Sequence, residues 1–388
     1  MLTCGRSRFL RLLPLFLLPQ PPEDRKNVKK LFIAATGQNA GKTTVSLGLI
    51  MNLEDQMKVG FIKPVGQRYL ETPRGRFDED AILIDEVCKL DCNLDYMSPV
   101  TVGKGFTRDY ILGRITHSLD QQILDAFAKI ADGKELVVIE GTGHAGVGSV
   151  IGLSNARVGS LLGAPVLIVA PGGIGLPIDE VALNLELFRK EGVRVVGVVL
   201  NKVAPAKLDM VNDITRKGLE KMGVPLCGAI PEEPFLSGPT MRQILGEIGG
   251  RLINGPDYLD NHIERIVVGA MTPHQFLDYL APNMLVITGG DREDLILGVM
   301  SSYVVSAAPA EHVAGMVLTG GIAPHRNIMQ LISRTTMPVI VVQENSYQTA
   351  SRIHDLTTKI QPTDMAKIAM VSRMVRQHVD LAGVCERI

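Results

Sequence analysis

The chain has 388 residues, of which 46% are hydrophobic and 21% are charged, so it is long enough for two packed domains. The formal net charge of −1 and the absence of tryptophan argue against nucleic acid and an anionic membrane surface as partners. Five scattered cysteines are typical of a reducing compartment and predict a cytoplasmic protein.

Residues 1–28 form a leader whose composition differs from the rest of the chain. Arg6, Arg8 and Arg11 flank the apolar run 12–18, which is too short to span a bilayer and lacks a small-residue cleavage site. Two interpretations stay open: an organelle-targeting segment, and a start codon assigned too early. We expect the leader to be disordered and to lie outside the fold.

The segment after the leader carries the strongest functional signal. An apolar strand at 31–35 runs into the loop Thr36-Gly-Gln-Asn-Ala-Gly-Lys-Thr43, and a helical pattern follows. In this context backbone N–H groups and a helix N-terminus can hold phosphates, Lys42 supplies a mobile cation, and the Thr43 hydroxyl can bind Mg²⁺. The sequence therefore predicts an ATP and Mg²⁺ site contacted by Gly37, Gln38, Asn39, Ala40, Gly41, Lys42, Thr43 and Thr44.

Strand-length apolar runs alternate with helical stretches up to about residue 240. The runs are nearly continuous in Val, Ile and Leu, which indicates burial on both faces. This alternation predicts an α/β fold with a doubly wound parallel sheet and ligands at the carboxyl ends of its strands. The predicted strands are 31–35, 58–64, 135–140, 165–170, 194–201 and 225–230, and the predicted helices include 43–53, 178–191 and 208–222.

A second βα series predicts a smaller α/β domain with its own core. Its predicted strands are 264–271, 284–288, 314–319 and 338–343, and its predicted helices are 273–280, 292–302, 325–333 and 346–359. Glycines at 249–250 and the run 254–256 mark flexible points near the junction, and Thr363 is expected to cap a last amphipathic helix. The predicted domains are 29–245 for nucleotide binding, 246–360 for the smaller domain and 361–388 for the C-terminal helix.

Further charged residues, in three places along the sequence, fall where a nucleotide site would need them. Lys63 ends the strand 58–64 and is expected to point into the same crevice as the phosphates, which makes it a catalytic candidate beside Lys42. Glu140 ends a buried apolar strand, an arrangement that suits Mg²⁺ beside a triphosphate. Asp78, Glu79 and Asp80 precede a helical pattern, and two interpretations stay open: their carboxylates stabilise the helix N-terminus, or one of them helps to hold Mg²⁺.

Two other features are weaker signals. The run Gly141-Thr-Gly-His-Ala-Gly146 matches a dinucleotide fingerprint, but the next strand ends without an acid to hold a ribose, so a loop that approaches a substrate is the better interpretation. Within it His144 either faces the crevice or is structural. Asn201 ends the strand 194–201, where its amide can bind a purine edge or simply lie in a turn.

Taken together, residues 29 to about 240 resemble the dethiobiotin synthetase/cobyrinic acid a,c-diamide synthase branch of P-loop proteins. The resemblance rests on the loop 36–43, Lys63-Pro-Val65, Asp80-Ala81, Glu140-Gly-Thr-Gly143, Val199-Leu-Asn201 and Ile230-Pro-Glu232. It implies that Lys42 and Thr43 serve the phosphates and Mg²⁺. It also implies that Asp80 and Glu140 complete the metal site with Thr43, that Lys63 contacts the reacting phosphate or substrate, and that Asn201 contacts adenine.

The resemblance is weaker at the substrate end of the site. Lys63-Pro-Val65 continues as Gly66-Gln-Arg68 rather than the Ala-Ser-Gly of dethiobiotin synthetase, and His144 replaces a further glycine after Gly143. ParA and MinD relatives have a second lysine at the position of Gly37 and fit less well.

Residues from about 245 to 360 resemble the DRTGG domain, through Thr288-Gly-Gly-Asp-Arg-Glu-Asp294 and Leu318-Thr-Gly-Gly-Ile322. The same two domains form the amino-terminal part of long bacterial phosphotransacetylases, where they look regulatory. The sequence ends at Ile388, where the acyltransferase would begin, so phosphotransacetylase activity is not expected. We expect the residues 291–294 to start a helix, with an anionic ligand on Arg292 as the alternative.

Two functional hypotheses follow. The first is an ATP- and Mg²⁺-dependent ATPase or ligase that phosphorylates a carboxylate or carbamate. The second is a non-catalytic, nucleotide-responsive regulatory module that acts on a metabolic enzyme partner. The expected partners are the nucleotide, an unidentified small-molecule substrate or effector, and a second copy of the chain in a homo-oligomer.

Overall fold

The computed structural model of the chain describes residues 28–305, 312–356 and 358–388. Apart from Val28, the leader predicted to be disordered lies outside the described residues. The strands are β1 (Lys29–Ala35), β2 (Val59–Ile62), β3 (Val65–Gly66), β4 (Tyr69–Thr72), β5 (Gly75–Asp78), β6 (Val100–Thr101), β7 (Leu136–Glu140), β8 (Val166–Pro171), β9 (Val195–Val203), β10 (Leu226–Pro231), β11 (Arg251–Asn254), β12 (Arg265–Val268), β13 (Met284–Gly289), β14 (Gly315–Thr319) and β15 (Val339–Val341).

The α-helices lie between and around these strands. They are α1 (Lys42–Leu53), α2 (Glu79–Cys88), α3 (Leu94–Met97), α4 (Phe106–Ile111), α5 (Leu119–Ala131), α6 (Asn155–Leu162), α7 (Gly175–Lys190), α8 (Leu208–Glu220), α9 (Pro234–Ser237), α10 (Met241–Ile248), α11 (Pro273–Leu277), α12 (Glu293–Val305), α13 (Arg326–Ile332), α14 (Ser346–Asp355), α15 (Met365–His378) and α16 (Leu381–Glu386). Within the described ranges, none of these helices combines the length and apolar character needed to cross a bilayer.

The larger sheet has the strand order β10-β9-β8-β1-β7-β2, and all of its strand pairs are parallel. Every residue of β7 and the last five residues of β1 are buried. Burial on both faces explains why these strands read as continuous apolar runs. The predicted strands of this domain and its doubly wound architecture are therefore confirmed, and the loop after β1 opens at the carboxyl edge of the sheet, between β7 and β8.

The smaller sheet has the order β11-β15-β14-β13-β12 and separates two apolar clusters. Strands β12 to β15 are parallel and confirm the predicted second α/β series. The expectation of flexible points at 249–250 and 254–256 was incomplete, because these residues flank β11, which pairs antiparallel with β15. Gly250 and Gly255 have φ values of +96° and +68°, so they make the turns at the two ends of that strand.

The C-terminal helix α15 returns to the first domain and packs against α1. Val371 and Val375 are fully buried there, and a Cβ on Gly48 of α1 would lie 2.4 Å from Val375 Cγ2. The amphipathic helix expected after residue 361 is present as α15, but it is not the last one, because α16 follows it. Its predicted cap was also wrong: Asp364, rather than Thr363, occupies the N-cap position. The helix predicted at 346–359 also ends earlier, at Asp355.

Candidate functional site

The loop 36–43 presents its backbone donors without using them. Gly41 precedes α1 with a φ of +93°, in the left-handed region, and no side chain caps the helix. In the described part of the chain, none of the N–H groups from Gly37 to Thr44 donates a hydrogen bond to a protein acceptor. Free N–H groups at a helix N-terminus attract anions, so this loop has a geometry that could hold phosphate groups.

The loop is fixed through its other atoms. Asn201, buried at the end of β9, donates from Nδ2 to the Ala40 carbonyl oxygen at 2.9 Å. Lys202 Nζ donates to the Asn39 carbonyl oxygen at 3.0 Å, and the Thr36 hydroxyl donates to Glu180 Oε2 at 2.7 Å. The predicted adenine ligand Asn201 therefore has a structural contact, which uses one of its two amide N–H groups.

Lys42 lies at the start of α1 and has no side-chain partner among the residues that the structure describes. Its side chain makes no hydrogen bond or ion pair with any of them, although the residue is half-buried. Burial, together with the nearby Lys63 ammonium, lowers the pKa of Lys42 to about 8. A polyanion in the loop would supply the missing countercharge.

Lys63 lies between two buried carboxylates. Its Nζ is 2.5 Å from Asp80 Oδ2 and 2.9 Å from Glu140 Oε1, and the three residues are at most 5% exposed. Burial opposes the charged form of Lys63, but the adjacent Asp80 and Glu140 carboxylates raise its pKa above the usual value. Burial likewise opposes ionisation of Asp80, yet Lys63 and Lys359 hold the pKa of that carboxyl well below its usual range.

Glu140 connects Lys63 to the phosphate loop through one carboxylate oxygen and leaves its other oxygen without a hydrogen bond to the described residues. The Thr43 hydroxyl donates to Glu140 Oε1 at 3.0 Å. Glu140 Oε2 is buried and has no hydrogen-bond partner among the described residues. A buried carboxylate oxygen beside a hydroxyl fits a hard divalent cation such as Mg²⁺, which prefers oxygen ligands and completes its shell with phosphate and water.

Asp80, the third predicted metal ligand, lies in the first turn of α2, where Asp78 caps the helix by accepting the Asp80 N–H at 3.0 Å. Both carboxylate oxygens of Asp80 are engaged by lysines. Among the residues that the structure describes, no group of three or more His, Cys, Asp and Glu side chains is arranged to hold a metal. Thr43 and Glu140 are therefore the better-placed metal ligands.

A cavity of about 520 Å³ joins these groups. Its wall includes Gln38, Asn39 and residues 41–44 of the loop region, together with Lys63, Asp80, Glu140 and Asn201. Of the predicted site residues, Gly37 and Ala40 do not line it, whereas Gln67 and Arg68, which were not predicted, do. The sequence prediction missed Lys359, which enters the cavity from the segment after the smaller domain. Its Nζ lies 2.8 Å from Asp80 Oδ1 and 3.2 Å from Glu79 Oε2.

Two other candidates lie away from this cavity. His144 is exposed, does not line the cavity, and accepts the Gly146 N–H at Nδ1 over 3.2 Å, so it has a local role in its turn. Arg292, predicted as the first residue of a helix, directly precedes α12, which begins at Glu293, and it pairs with Asp294 at 2.9 Å.

Comparison with family models agrees with the fold. The model described as an AAA domain (AAA_26) matches residues 29–240, and the model described as a DRTGG domain matches residues 243–356. The chain belongs to this AAA-domain family of P-loop proteins. It carries a DRTGG domain after the P-loop domain.

Curated relatives share both domains. Phosphate acetyltransferase of Nitratidesulfovibrio vulgaris is 30% identical over 370 residues, which cover 92% of this chain and 51% of that protein. Phosphate acetyltransferase of Synechocystis sp. is 26% identical over 366 residues, which cover 90% and 50% respectively. The chain thus spans about half the length of the curated relatives that it matches.

Solved structures show a more distant likeness. A putative plasmid partition protein of Borrelia burgdorferi bound to AMPPNP has a TM-score of 0.36 at 17% identity, covering 54% of this chain and 88% of that one. The septum site-determining protein MinD of Pyrococcus horikoshii, complexed with Mg-ADP, has a TM-score of 0.34 at 15% identity, covering 54% and 83%. Similarity at this level carries no functional argument.

Proposed function

We propose that the chain binds Mg-ATP in the cavity and transfers the γ-phosphoryl group to a carboxylate, a carbamate or water, under the control of the DRTGG domain. The observation that carries this proposal is the set of backbone N–H groups from Gly37 to Thr44, which find no protein acceptor within the described ranges and belong to the loop beside the cavity lined by Lys42 and Lys63. Phosphoryl transfer requires positioning and charge stabilisation rather than covalent chemistry from the protein. These residues would supply both.

Each group has a proposed role in that reaction. The N–H groups of the loop and the Lys42 ammonium would bind the β- and γ-phosphates, and Asn201 would bind adenine through the amide atoms that Ala40 leaves free. Thr43 and Glu140 would hold Mg²⁺, with Asp80 as a further oxygen ligand. When bound, the metal would neutralise charge on the phosphate oxygens.

Lys63 would orient the acceptor or the transferring phosphoryl group. It is buried at the carboxyl edge of the sheet and stays charged there, because two carboxylates surround it. Gln67 and Arg68 also line the cavity and would face the acceptor. Arg68 forms no ion pair with the residues that the structure describes. An anionic acceptor, such as a carboxylate or carbamate, would be complementary to that guanidinium.

One observation favours a regulatory function as the second candidate. Lys359 follows the DRTGG domain and contacts Asp80 of the P-loop domain, so a nucleotide in the cavity would meet a residue that lies directly after the smaller domain. In this case ATP would set the position of that domain without being consumed, and a metabolic enzyme would respond. Such a partner, a homo-oligomeric state and a cytoplasmic location stay predictions.

Calorimetric titration of ATP with and without Mg²⁺ tests the proposal. We expect Mg²⁺-dependent binding to the wild type, a loss of affinity of about tenfold or more in Lys42→Ala, and no change in Lys129→Ala, an exposed lysine of α5. Absence of Mg²⁺-dependent binding to the wild type would contradict both candidates. Release of inorganic phosphate from bound ATP separates them, because only the enzyme turns ATP over.

A further inference from the structure

The segment 358–362, which we call the connecting segment, joins α14 of the DRTGG domain to α15 and lines the cavity. It is anchored to the chain around α9 and α10. The Thr358 hydroxyl donates to the Ser237 carbonyl oxygen at 2.5 Å, and Gln243 Nε2 donates to the Lys359 carbonyl oxygen at 3.4 Å. With its backbone held there, the connecting segment directs the side chain of Lys359 into the cavity.

Lys359 is a charged group in a partly desolvated position. Its side chain is 28% exposed and is shared between Asp80 and Glu79. Burial opposes the ammonium form, but the Asp80 carboxylate raises the pKa of Lys359 above its usual value. The residue is therefore a permanent cation at neutral pH.

The contacts in the cavity form an ordered chain that starts at the phosphate loop. Thr43 and Lys63 share one oxygen of Glu140. Lys63 and Lys359 then share Asp80, with one lysine on each carboxylate oxygen. Lys359 is the last member of this series of contacts and lies at the end opposite to the phosphate loop. The phosphate farthest from the nucleoside would lie there.

We propose that Lys359 binds the terminal phosphoryl group of the nucleotide, so that ATP engages the connecting segment and ADP does not. This inference rests on the proposed function, because it requires Mg-ATP in the cavity. A phosphoryl group carries more negative charge than the carboxylate that Lys359 now shares with Lys63, and it is the stronger acceptor for an ammonium donor. Lys359 would break its contact with Asp80 and form one with the phosphate. The Asp80 carboxylate would then be free to bind Lys63 alone or the metal.

This exchange couples the site to the DRTGG domain. Lys359 lies four residues after Asp355, the last residue of α14, and α14 packs against α10 and β13. Only ATP has the terminal phosphate that Lys359 contacts. The connecting segment is therefore bound to the nucleotide in the ATP complex and not in the ADP complex. Differential contact of this kind is what a ligand needs to shift a conformational equilibrium.

Titration of the full chain with Mg-ATP and Mg-ADP tests the inference. We expect Lys359→Met to weaken Mg-ATP about tenfold or more while Mg-ADP changes by less than about threefold. Lys359→Arg, which keeps the charge, should restore most of the ATP affinity, and Lys129→Met on exposed α5 should match the wild type. Thermal unfolding without nucleotide establishes that the variants are folded.

Hydrogen exchange of the α14 peptide in the wild type gives a readout that needs no variant. We expect exchange to differ between the ATP and ADP complexes, and we expect that difference to vanish in Lys359→Met. If Lys359→Met binds Mg-ATP as tightly as the wild type, or loses affinity for Mg-ATP and Mg-ADP by the same factor, the inference is overturned and the proposed function stands. If the wild type binds neither nucleotide, the proposed function itself fails.

Discussion

The Lys63 ammonium lies 2.5 Å from Asp80 Oδ2, and both side chains are almost fully withdrawn from water. A buried charge is tolerated only when it is paired, since the desolvation penalty of an isolated ion is several kcal/mol. The fold thus keeps an ionised pair at the edge of the sheet where a charged ligand would enter. Each charge offsets the desolvation of the other, and the pair also supplies the charges that the proposed chemistry requires.

Removal of the Lys63 ammonium should lower stability, because the buried carboxylates of Asp80 and Glu140 would each lose a positively charged partner. We expect Lys63→Met to lower the free energy of unfolding by about 3–5 kcal/mol, measured by urea denaturation at pH 7.5. Arg242→Met is the control, because the pair between Arg242 and Asp260 is exposed and should contribute less than about 1 kcal/mol. Equal losses in the two variants would contradict the account of the buried pair.

Asp78 should make stability depend on pH. Burial raises its pKa to about 6, with a further contribution from Asp80 against the opposing Lys63. Because the folded state holds this proton more tightly than the unfolded state, the stability that it contributes is present below pH 3.8 and is lost as the pH rises through about 6.

The variant Asp78→Asn tests this directly, since its amide oxygen can still cap α2 by accepting the Asp80 N–H. We expect the variant to be more stable than the wild type by about 3 kcal/mol above pH 7, and the difference to shrink as the pH falls toward 4. Denaturation over that pH range measures it. A constant difference at every pH would show that the Asp78 carboxyl does not titrate as described.

Gly41 should be required for the shape of the phosphate loop. It has a φ of +93°, and a Cβ there would lie 1.9 Å from Asn201 Nδ2. We expect Gly41→Ala to cost about 1–3 kcal/mol of stability and to abolish detectable ATP binding. Gly37→Ala is the matched control, because a Cβ at Gly37 meets no atom within 4 Å, and it should leave stability unchanged within about 1 kcal/mol. If both variants bind ATP normally, the loop conformation is not the determinant of binding.

The contact between α1 and α15 gives a second matched pair of glycines. Alanine in an exposed helix interior is more favourable than glycine by about 1 kcal/mol, and Gly246 of α10 is such a position, with open space around it. Gly246→Ala should therefore raise the thermal midpoint. Gly48→Ala should lower it, because the new methyl group would collide with Val375. A rise in both variants would mean that α15 does not pack on α1 as found.

The parts of the fold that could be predicted are those encoded in contiguous sequence. The parallel strands are buried on both faces and so have an unbroken apolar composition, and the phosphate loop is one local run between β1 and α1. The short strand β11 was not predicted. Its four residues are at most half-buried and are bounded by glycines, so this stretch of sequence resembles a linker. The helix start at 363–364 was placed one residue too early, since threonine and aspartate are both good caps.

The candidate site could likewise be predicted only where its residues belong to local sequence patterns. Lys63, Asp80 and Glu140 each end or begin an element, so their convergence could be expected from the rule that parallel strands share a carboxyl edge. Lys359 could not be found in this way, because it is 279 residues from Asp80 in sequence. The amphipathic pattern of α14 also extended the predicted helix over it. Contacts made by a segment that returns from another domain leave no local pattern.

The central claim is that the unpaired N–H groups of the loop 37–44 bind the phosphates of Mg-ATP. A crystal structure of the chain with Mg²⁺ and a non-hydrolysable ATP analogue tests it most directly. The account predicts phosphate oxygens within hydrogen-bond distance of these N–H groups and of Lys42 Nζ, with the metal beside Thr43 and Glu140. An analogue bound elsewhere, with the loop left empty at saturating concentration, would contradict it.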